Sequence, residues 1–419
     1  MGHSHSHSHK HGAADVAAAR GPATILLVAL GLVAIATVIA VVTLWPDSGK
    51  VAKLRSEAQF TAPGVTFVKA TVTSVQKPCP ADADAGGTTD GGTGGSSTAP
   101  TCGNIVATAD SGPESGDNQT VGVPTAVAVS GLGKGDTVRL IRVPPQDGTP
   151  ASYSFDDVVR LKPLWIMWFA FVIVVALVAR LRGILALVAL GFGGFVLLKF
   201  MIPALLSGSS GIEVSLAGSA AIMFVVLYLA HGPSMRTSAA LGGTLLGIGV
   251  TAGVGELAIH GANLSGFSDD STALLSSFAD TLSFQGIFTC ALVVAGLGVL
   301  NDVTITQASA VWELREAGPD LSRGRLFASA MRIGRDHIAS TIYTIVFAYA
   351  GSALAVLLLL SLYDRPIWEL LSTESISEEI VRTLASAIGL VLAVPLTTAV
   401  AVMTVVGPGE TRRASTGRH

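Results

Sequence analysis

Long apolar blocks are the feature of this sequence that most restricts its fold. They recur along the chain in unbroken runs of roughly 17–25 residues, about the length a helix needs to cross the hydrocarbon core of a bilayer. Half of the 419 residues are hydrophobic and only 13% are charged. A soluble chain of this length needs more charged surface than that to cover its core. The sequence therefore predicts a polytopic membrane protein.

About eight of these blocks are predicted transmembrane helices, so the fold class is mainly α, a polytopic helical membrane bundle. They are Ala23–Leu44, Leu164–Ala179, Ile184–Ile202, Ser215–Ala230, Ser238–Ile259, Phe284–Asn301, Ile338–Leu362 and Val381–Val406. The first ends in Trp45-Pro46 without a small-residue cleavage site, which favours an uncleaved anchor over residues 23–45. The other seven form a transmembrane domain over residues 163–406, followed by a disordered cytoplasmic tail over residues 407–419.

The distribution of arginine predicts the orientation of the bundle. Arginines cluster in alternate connections and in the tail, at Arg180, Arg182, Arg236, Arg315, Arg323, Arg325, Arg332, Arg335, Arg412, Arg413 and Arg418. The intervening connections Pro203–Val214, His260–Ser283 and Tyr363–Glu379 contain only Arg365. Because basic residues favour the cytoplasmic side, both termini are expected in the cytoplasm of a bacterial cell, with the chain in its plasma membrane. Residues 46–162 are then extracytoplasmic.

Residues 46–162 are the one long segment without a predicted membrane helix. Alternating or β-branched runs occur at Val65–Gln76, Asn104–Ala109, Thr120–Ser130, Asp136–Val143 and Ser152–Val159. Turns rich in Gly and Pro separate them. About five short strands predict a small extracytoplasmic β-barrel-like domain, OB-like in type, after the first helix.

The three cysteines fall in two different settings. Cys79 and Cys102 flank residues 80–101, which are rich in Gly, Thr, Ala and Asp and too polar to bury a core. This composition predicts a flexible loop, and in an oxidising compartment a disulfide between the two cysteines would close its base. Cys290 lies inside an apolar block and is expected to be a packing residue.

The first 22 residues are predicted to be a disordered, histidine-rich cytoplasmic segment. They begin with HSHSHSHKH, which places imidazoles at His3, His5, His7, His9 and His11. Two interpretations remain open: a tail or affinity tag, or a weak site for a divalent zinc, copper or nickel ion.

Ionisable groups are costly inside a membrane and usually face a partner or a cavity. Glu256 and His260 are four residues apart and therefore share one helical face. They could bind a cation or pass a proton, or they could be an interfacial pair facing water. Asp302 could pair with an arginine of the following basic segment or line a vestibule for a cation. At 1.5 Å per residue, Glu256 and Asp302 are expected to lie ~20 Å or more apart, as two stations on a path rather than one metal site.

The candidate transport or gating residues are Asp302, Asn301, Thr304, Gln307, Arg335, Asp336, Glu256 and His260. Small residues four apart, in Gly243-x-x-x-Gly247 and Gly249-x-x-x-Gly253, predict close helix packing. Local unwinding near Gly253-Val254-Gly255, as in transporters that expose backbone to a substrate, is the alternative.

The stretch from Gly296 to Thr306 (GLGVLNDVTIT), with Gly334-Arg335-Asp336 and Thr341, resembles the YibE/F family of bacterial membrane proteins. The layout is also similar to that family: an anchor helix, an external domain ending in YSFDDVVR at residues 153–160, and a block of several spans. The resemblance implies a membrane protein sometimes suggested to be a transporter or permease. It leaves the chemistry undefined.

Motifs of catalysis are missing from the sequence: there is no Walker A loop, no G-x-S-x-G, no H-E-x-x-H and no paired C-x-x-C. We therefore expect no enzymatic activity and no cofactor. Charges are sorted by connection rather than pooled on one face, so a nucleic-acid partner is not expected. Apolar surfaces rich in Gly and Ala permit a homo-oligomer without requiring one.

Two functional hypotheses follow for this chain in its lipid bilayer. The first is a transporter or permease for a small solute or ion. The second is a non-transporting membrane component whose external β domain, residues 47–162, binds an envelope protein.

Overall fold

A computed structural model describes residues 18–57, 64–76, 103–145, 149–268, 270–278, 282–362 and 366–408. In chain order the elements are α1 (Arg20–Thr43), α2 (Ser48–Glu57), β1 (Thr66–Val75), β2 (Asn104–Ala109), β3 (Asn118–Gly122), α3 (Thr125–Ala128), β4 (Thr137–Val143), β5 (Ser152–Val158), α4 (Leu161–Val196), a π-helical turn (Leu197–Met201), α5 (Ile202–Leu206), α6 (Gly211–His231), α7 (Met235–Gly261), α8 (Asp270–Ser276), α9 (Phe284–Ala317), α10 (Arg323–Ser352), α11 (Leu354–Ser361), α12 (Ile367–Leu371) and α13 (Glu374–Thr404).

The chain divides into two compact units. One, the sheet unit, is Ala58–Val174, and the other, the bundle, contains the residues up to Glu57 and those from Val175 onward. Several predictions fall outside the described residues: the Cys79–Cys102 disulfide, the flexible loop 80–101, the histidines His3, His5, His7, His9 and His11, and residues 409–419 of the tail.

The sheet unit is built on one curled antiparallel sheet with strand order β3-β2-β1-β4-β5. Alternate residues of its strands form the core because successive side chains of a strand point to opposite faces. Ala70 and Val72 of β1, Ile105 and Ala107 of β2, and Val138 and Leu140 of β4 are all buried. Register shifts within the β1–β2 and β4–β5 pairings add local bends.

Four of the five predicted strands are confirmed to within a residue or two, and the third is wrong over its second half. There β3 ends at Gly122, and Pro124 precedes the short helix α3. Proline lacks the N–H that a strand ladder requires, so the predicted strand Thr120–Ser130 stops before it. The edge strands β3 and β5 approach within 8 Å of Cα separation, but among the described pairings no ladder joins them. The OB-like barrel is therefore not confirmed.

Six helical stretches of the described chain are long and apolar enough to span a membrane. They are α1, the stretch Leu161–Leu206 that contains α4 and α5, α6, α7, α9 and α13. The pair α10 and α11, bent by 64°, makes a seventh if it is one span. The predicted number of eight is not confirmed.

The bent pair α10 and α11 accounts for one span of the difference. The other arises in Leu161–Leu206, where the second and third predicted spans lie in one stretch of 46 residues. A straight helix of that length would be ~69 Å long, more than twice the hydrocarbon thickness of a bilayer. The stretch is not straight, because Arg180 has non-helical angles of φ 52° and ψ −138°.

Helices α7, α9 and α13 pack together at the centre of the bundle, beside α6 and α10. The N-termini of α7 and α9 are capped by Ser234 and Ser283, whose side chains accept hydrogen bonds from backbone N–H groups. α7 and α13 approach so closely that a Cβ atom on Gly243 would overlap Thr397, and one on Gly389 would overlap Thr251. A Cβ atom on Gly247 would lie 2.9 Å from Leu300 and 3.0 Å from Ala393, so the close-packing prediction is confirmed for both Gly243 and Gly247.

The second glycine motif of α7 behaves differently. A Cβ atom on Gly249 or Gly253 would meet no heavy atom within 4 Å, so the packing prediction is wrong for these two residues. α7 is a continuous helix across Gly253-Val254-Gly255, so the alternative of local unwinding is also wrong.

Candidate functional site

A row of polar side chains runs through the apolar centre of the bundle. We call it the polar file, and its members are Thr244, Thr251, Thr289, Thr304, Gln307, Ser386, Thr397 and Thr398. All come from α7, α9 and α13, and each is at most 3% exposed. Along α9 the file extends from Thr289 to Gln307, a rise of ~27 Å. This length is close to the ~30 Å thickness of the bilayer hydrocarbon.

The polar file is arranged in layers that lie between about one and two helical turns apart along α9. In the first layer the Thr289 hydroxyl donates to Glu256 Oε2 at 3.2 Å. In the second, Ser386 and Thr251 flank Gly296, since a Cβ atom placed on this glycine would lie 3.6 Å from Ser386 Oγ and 3.8 Å from Thr251 Cγ2. Each layer therefore joins at least two helices.

Two further layers complete the polar file. The hydroxyls of Thr244 and Thr304 are 2.6 Å apart, and Thr397 lies against Gly243. In the last layer Gln307 Nε2 donates to Thr398 Oγ1 at 2.7 Å and to the backbone carbonyl of Ala330 at 3.0 Å.

Two hydroxyls of the polar file, those of Thr251 and Thr397, are buried without a hydrogen-bond partner among the described residues. An unsatisfied polar group in an apolar interior is unfavourable. Buried groups of this kind commonly bind a water molecule or a ligand that supplies the missing hydrogen bonds. The centre of the bundle therefore contains places where a polar solute or water would be stabilised.

One end of the polar file carries the predicted pair of Glu256 and His260. His260 Nδ1 lies 3.6 Å from Glu256 Oε1 and 3.0 Å from the backbone carbonyl oxygen of the same residue. The two side chains are 39% and 65% exposed. The pair thus sits at the surface of the bundle, and Thr289 connects its carboxylate to the buried file.

The other end carries a carboxylate and an imidazole that the sequence did not pair. His337 Nε2 lies 3.8 Å from Asp302 Oδ2, and the Asp302 side chain is 70% exposed. The expectation of an arginine partner is wrong, because the one ion pair that Asp302 forms within the described chain is with His337. Beside them, Asn301 Oδ1 and His337 Nε2 are buried without a hydrogen-bond partner among the described residues.

Helical periodicity could have identified His337. Gly334 and Thr341 are buried on α10, and His337 lies between them on the same face because residues three and four apart are neighbours on a helix. Arg335 and Asp336 are exposed, so the structure does not bring these two candidates into the polar file.

The sequence that forms the polar file and its two ends is similar to a known protein family. A family model described as YibE/F-like protein matches residues 167–407, more than half of the chain. The chain belongs to the YibE/F-like family. Comparisons with curated proteins and with solved structures found no match.

The YibE/F-like region contains the whole polar file and both carboxylate–imidazole pairs. It begins after the sheet unit's strands, so the YSFDDVVR motif at residues 153–160 lies outside the matched residues. Gly334 belongs to the region and allows α10 to approach the file, since a Cβ atom there would lie 3.0 Å from Gln307 Oε1. This contact gives one physical reason for a glycine in the Gly334-Arg335-Asp336 motif.

A separate cavity of about 610 Å³ in the YibE/F-like bundle is lined by α1, α6, α7 and Val400 of α13. Its lining is apolar except for Glu213 and Thr37. None of the polar-file residues lines it. Its walls suit apolar groups rather than a hydrated solute, and the polar file remains the candidate functional site.

Proposed function

We propose that this YibE/F-like protein is a transporter or permease that moves a small solute or ion along the polar file. The observation that carries the proposal is a set of eight polar side chains, each at most 3% exposed, that crosses an apolar bundle. A bundle needs only occasional interhelical hydrogen bonds for stability, and these contribute about 0.6 kcal/mol each on average. The hydroxyls of Thr251 and Thr397 have no hydrogen-bond partner among the described residues, so they add no such bond. Stabilisation of a passing solute accounts for these two hydroxyls better than helix association does.

In this mechanism the two ends of the file act as stations. The exposed Glu256–His260 and Asp302–His337 pairs would attract a cation or exchange a proton with water. Between them, hydroxyl oxygens would replace part of the hydration shell of the solute. Gly243 packs against Thr397, and Gly389 packs against Thr251. These contacts leave no open passage between α7 and α13, so the two helices must separate slightly for a solute to pass.

The proposed orientation follows the distribution of arginine. With both termini in the cytoplasm of a bacterial cell, the Asp302 end is the inner station and the Glu256 end is the outer one. The sheet unit is then extracytoplasmic, and we propose an OB-like arrangement for it, which the strand order β3-β2-β1-β4-β5 supports.

The test is flux into liposomes that contain the full chain, with protons and divalent cations as the first solutes. A parallel sample without residues 1–22 separates transport from metal binding by the histidines. Thr251→Val and Thr397→Val keep side-chain shape and remove one hydroxyl each, so we expect about a five- to tenfold loss of flux from each lost hydrogen bond. Asp302→Asn should reduce cation flux further.

Thr306→Val is the matched control, because Thr306 is an exposed threonine of the same helix as Thr304. It should leave flux unchanged. Equal losses in Thr306→Val and Thr251→Val would contradict a path along the file. Absence of flux for every ion and small solute, together with a stable partner captured through residues 47–162, would favour the envelope-binding component instead.

A further inference from the structure

A polar cavity of about 660 Å³ lies in the sheet unit where β5 continues into α4. Its walls come from residues 130–132 and 135–137, from residues 158–163, and from Lys69 and Asp110. We call it the β5–α4 cavity. Five of its lining residues are charged: Lys69, Asp110, Asp136, Arg160 and Lys162.

The two carboxylates of the β5–α4 cavity already accept hydrogen bonds from the protein. Both oxygens of Asp110 accept from the Thr71 hydroxyl, at 3.0 and 2.9 Å. Asp136 Oδ2 accepts from the backbone N–H of Gly133 at 2.8 Å. These bonds hold the acids within the turns that shape the cavity, which reduces their capacity to bind a ligand.

The basic side chains are less engaged. Arg160 donates to Asp157 Oδ1 at 2.8 Å, which lowers the pKa of that carboxyl. Lys69 and Lys162 are exposed and form no ion pair with any residue that the structure describes. The unused hydrogen-bonding capacity of the cavity therefore consists mainly of ammonium N–H donors, which require an anion with several acceptor oxygens.

The position of the cavity along the chain gives its depth in the membrane. Lys162 is followed at once by the apolar span, and an aromatic group of Trp165, Trp168 and Phe169 lies one turn further. Their ring centroids are 5.0–5.8 Å apart, and both tryptophans are more than half exposed. Tryptophans of this kind lie at the level of the lipid headgroups, so Lys162 lies at the same level.

We propose that the β5–α4 cavity binds the phosphodiester of an anionic membrane phospholipid through Lys69 and Lys162. The acyl chains of this lipid run along the exposed Leu161, Leu164 and Trp165, which are 54–58% exposed. Basic pockets at the membrane surface bind lipid headgroups by this combination of charge and apolar contact. The proposal concerns only the sheet unit and the start of α4, and it does not depend on the transport proposal.

The experiment uses the full-length protein in detergent, stripped of lipid and titrated with dioleoyl phosphatidylglycerol or dioleoyl phosphatidylcholine. Native mass spectrometry counts the bound lipids and gives the affinity of each. One lysine near an anionic surface contributes about fivefold to binding, so two lysines should favour phosphatidylglycerol on the order of 20-fold. In the double variant Lys69→Gln/Lys162→Gln the two lipids should bind with about equal affinity. The double variant Lys69→Arg/Lys162→Arg should retain the preference for phosphatidylglycerol.

Lys134→Gln is the matched control, since Lys134 is an exposed lysine of the same unit that does not line the cavity. It should leave the preference unchanged. An equal loss in Lys134→Gln and in the double variant would overturn the site, because it would indicate a general effect of charge. Wild-type protein that binds both lipids equally would also overturn it.

A competition arm separates a lipid from a free phosphate. Glycerol phosphate at millimolar concentration should not displace phosphatidylglycerol, because it lacks the acyl chains that contact Leu161 and Leu164. Complete displacement would assign the cavity to a soluble phosphate ester and would overturn the lipid proposal.

Discussion

The sheet unit and the bundle use polar side chains in opposite ways. In the sheet unit, charged partners meet in short ion pairs, such as Arg142 with Glu114 at 2.6 Å. In the centre of the bundle, hydroxyls and amides take their place. The two carboxylate–imidazole pairs lie at the ends of the polar file and are longer, at 3.6 and 3.8 Å, while Arg382 and Glu379 near the start of α13 pair at 2.8 Å. The difference reflects the solvent: a bilayer does not solvate an unpaired charge, whereas water does.

The ion pair of the sheet unit is also a small network. Glu114 accepts two hydrogen bonds from Arg142, both at 2.6 Å, and one from the Tyr153 hydroxyl at 2.8 Å. These donors, Arg142 first, lower the pKa of Glu114 from 4.5 to about 2. The Arg142 side chain is only 9% exposed. Through Arg142 of β4 and Tyr153 of β5, the network holds the turn that contains Glu114 against these two strands.

In the bundle, several polar side chains bond to their own helices. The hydroxyls of Thr244 and Thr398 donate to the carbonyls of Ala240 and Val394, four residues earlier, at 2.9 and 2.7 Å. Glycine then allows the helices to approach closely, and van der Waals contact contributes to their association. Stability in the bundle therefore depends on shape more than on charge.

The largest expected effect comes from filling a helix contact. Gly389→Val places a side chain where the Thr251 hydroxyl already lies, and forced overpacking costs about 1–3 kcal/mol, with backbone contacts at the upper end. We expect a clear fall in the melting temperature of the full protein in detergent, followed by differential scanning fluorimetry. Gly249→Val is the control, because its side chain would enter open space. Equal destabilisation by both variants would mean that helix propensity, rather than packing, holds the bundle together.

The second prediction concerns the acid stability of the sheet unit. Because the folded-state pKa of Glu114 is depressed, its stabilisation is fully present above about pH 5 and is lost as the pH falls from 4.5 towards 2. Glu114→Gln should lower protection of β4 from hydrogen exchange at neutral pH and flatten its dependence on pH in this range, after correction for intrinsic exchange rates.

Asp117→Asn, a nearby exposed acid, should keep the wild-type dependence of β4 protection on pH. If Glu114→Gln and wild type lost protection in parallel between pH 5 and pH 2, the network would not be the source of acid sensitivity. The contrast between a charge-dependent sheet unit and a shape-dependent bundle would then fail.

The smallest expected effect is the loss of one hydrogen bond in the bundle. Thr304→Val removes the 2.6 Å contact with Thr244, and hydrogen bonds between membrane helices contribute about 0.6 kcal/mol on average. The melting temperature should fall slightly more than in Thr306→Val, which alters an exposed threonine of the same helix. A fall as large as that of Gly389→Val would show that hydrogen bonding is as important as packing here.

Much of this architecture was readable from local patterns. Apolar length predicted the membrane helices, and alternation with turns predicted four strands closely, because both patterns reflect contact with solvent along one element. The break at Arg180 falls between the predicted spans Leu164–Ala179 and Ile184–Ile202, because Arg180 and Arg182 interrupt the apolar pattern there. The part of Thr120–Ser130 after Pro124 was wrongly predicted as strand. Its β-branched residues favour a strand, but Pro124 lacks the backbone N–H that a strand ladder requires.

The candidate site was only partly predictable. Asn301, Thr304 and Gln307 were selected as polar residues at membrane depth, and Glu256 and His260 by their spacing of four. Six other hydroxyls of the polar file were missed, because a hydroxyl in an apolar helix has no local signal of what faces it. They are Thr244, Thr251, Thr289, Ser386, Thr397 and Thr398.

By itself, the sequence determined the class of protein, the family, the approximate position of each element and the chemistry available to it. These properties depend on composition and on spacing within one segment. Only the tertiary structure decided that Asp302 meets His337 rather than an arginine, and that hydroxyls from three helices form one file. Those juxtapositions depend on how closely α7, α9, α10 and α13 approach one another. Between α7 and α13 the distance is set by Gly243 and Gly389, whose partners Thr397 and Thr251 lie more than a hundred residues away in the chain.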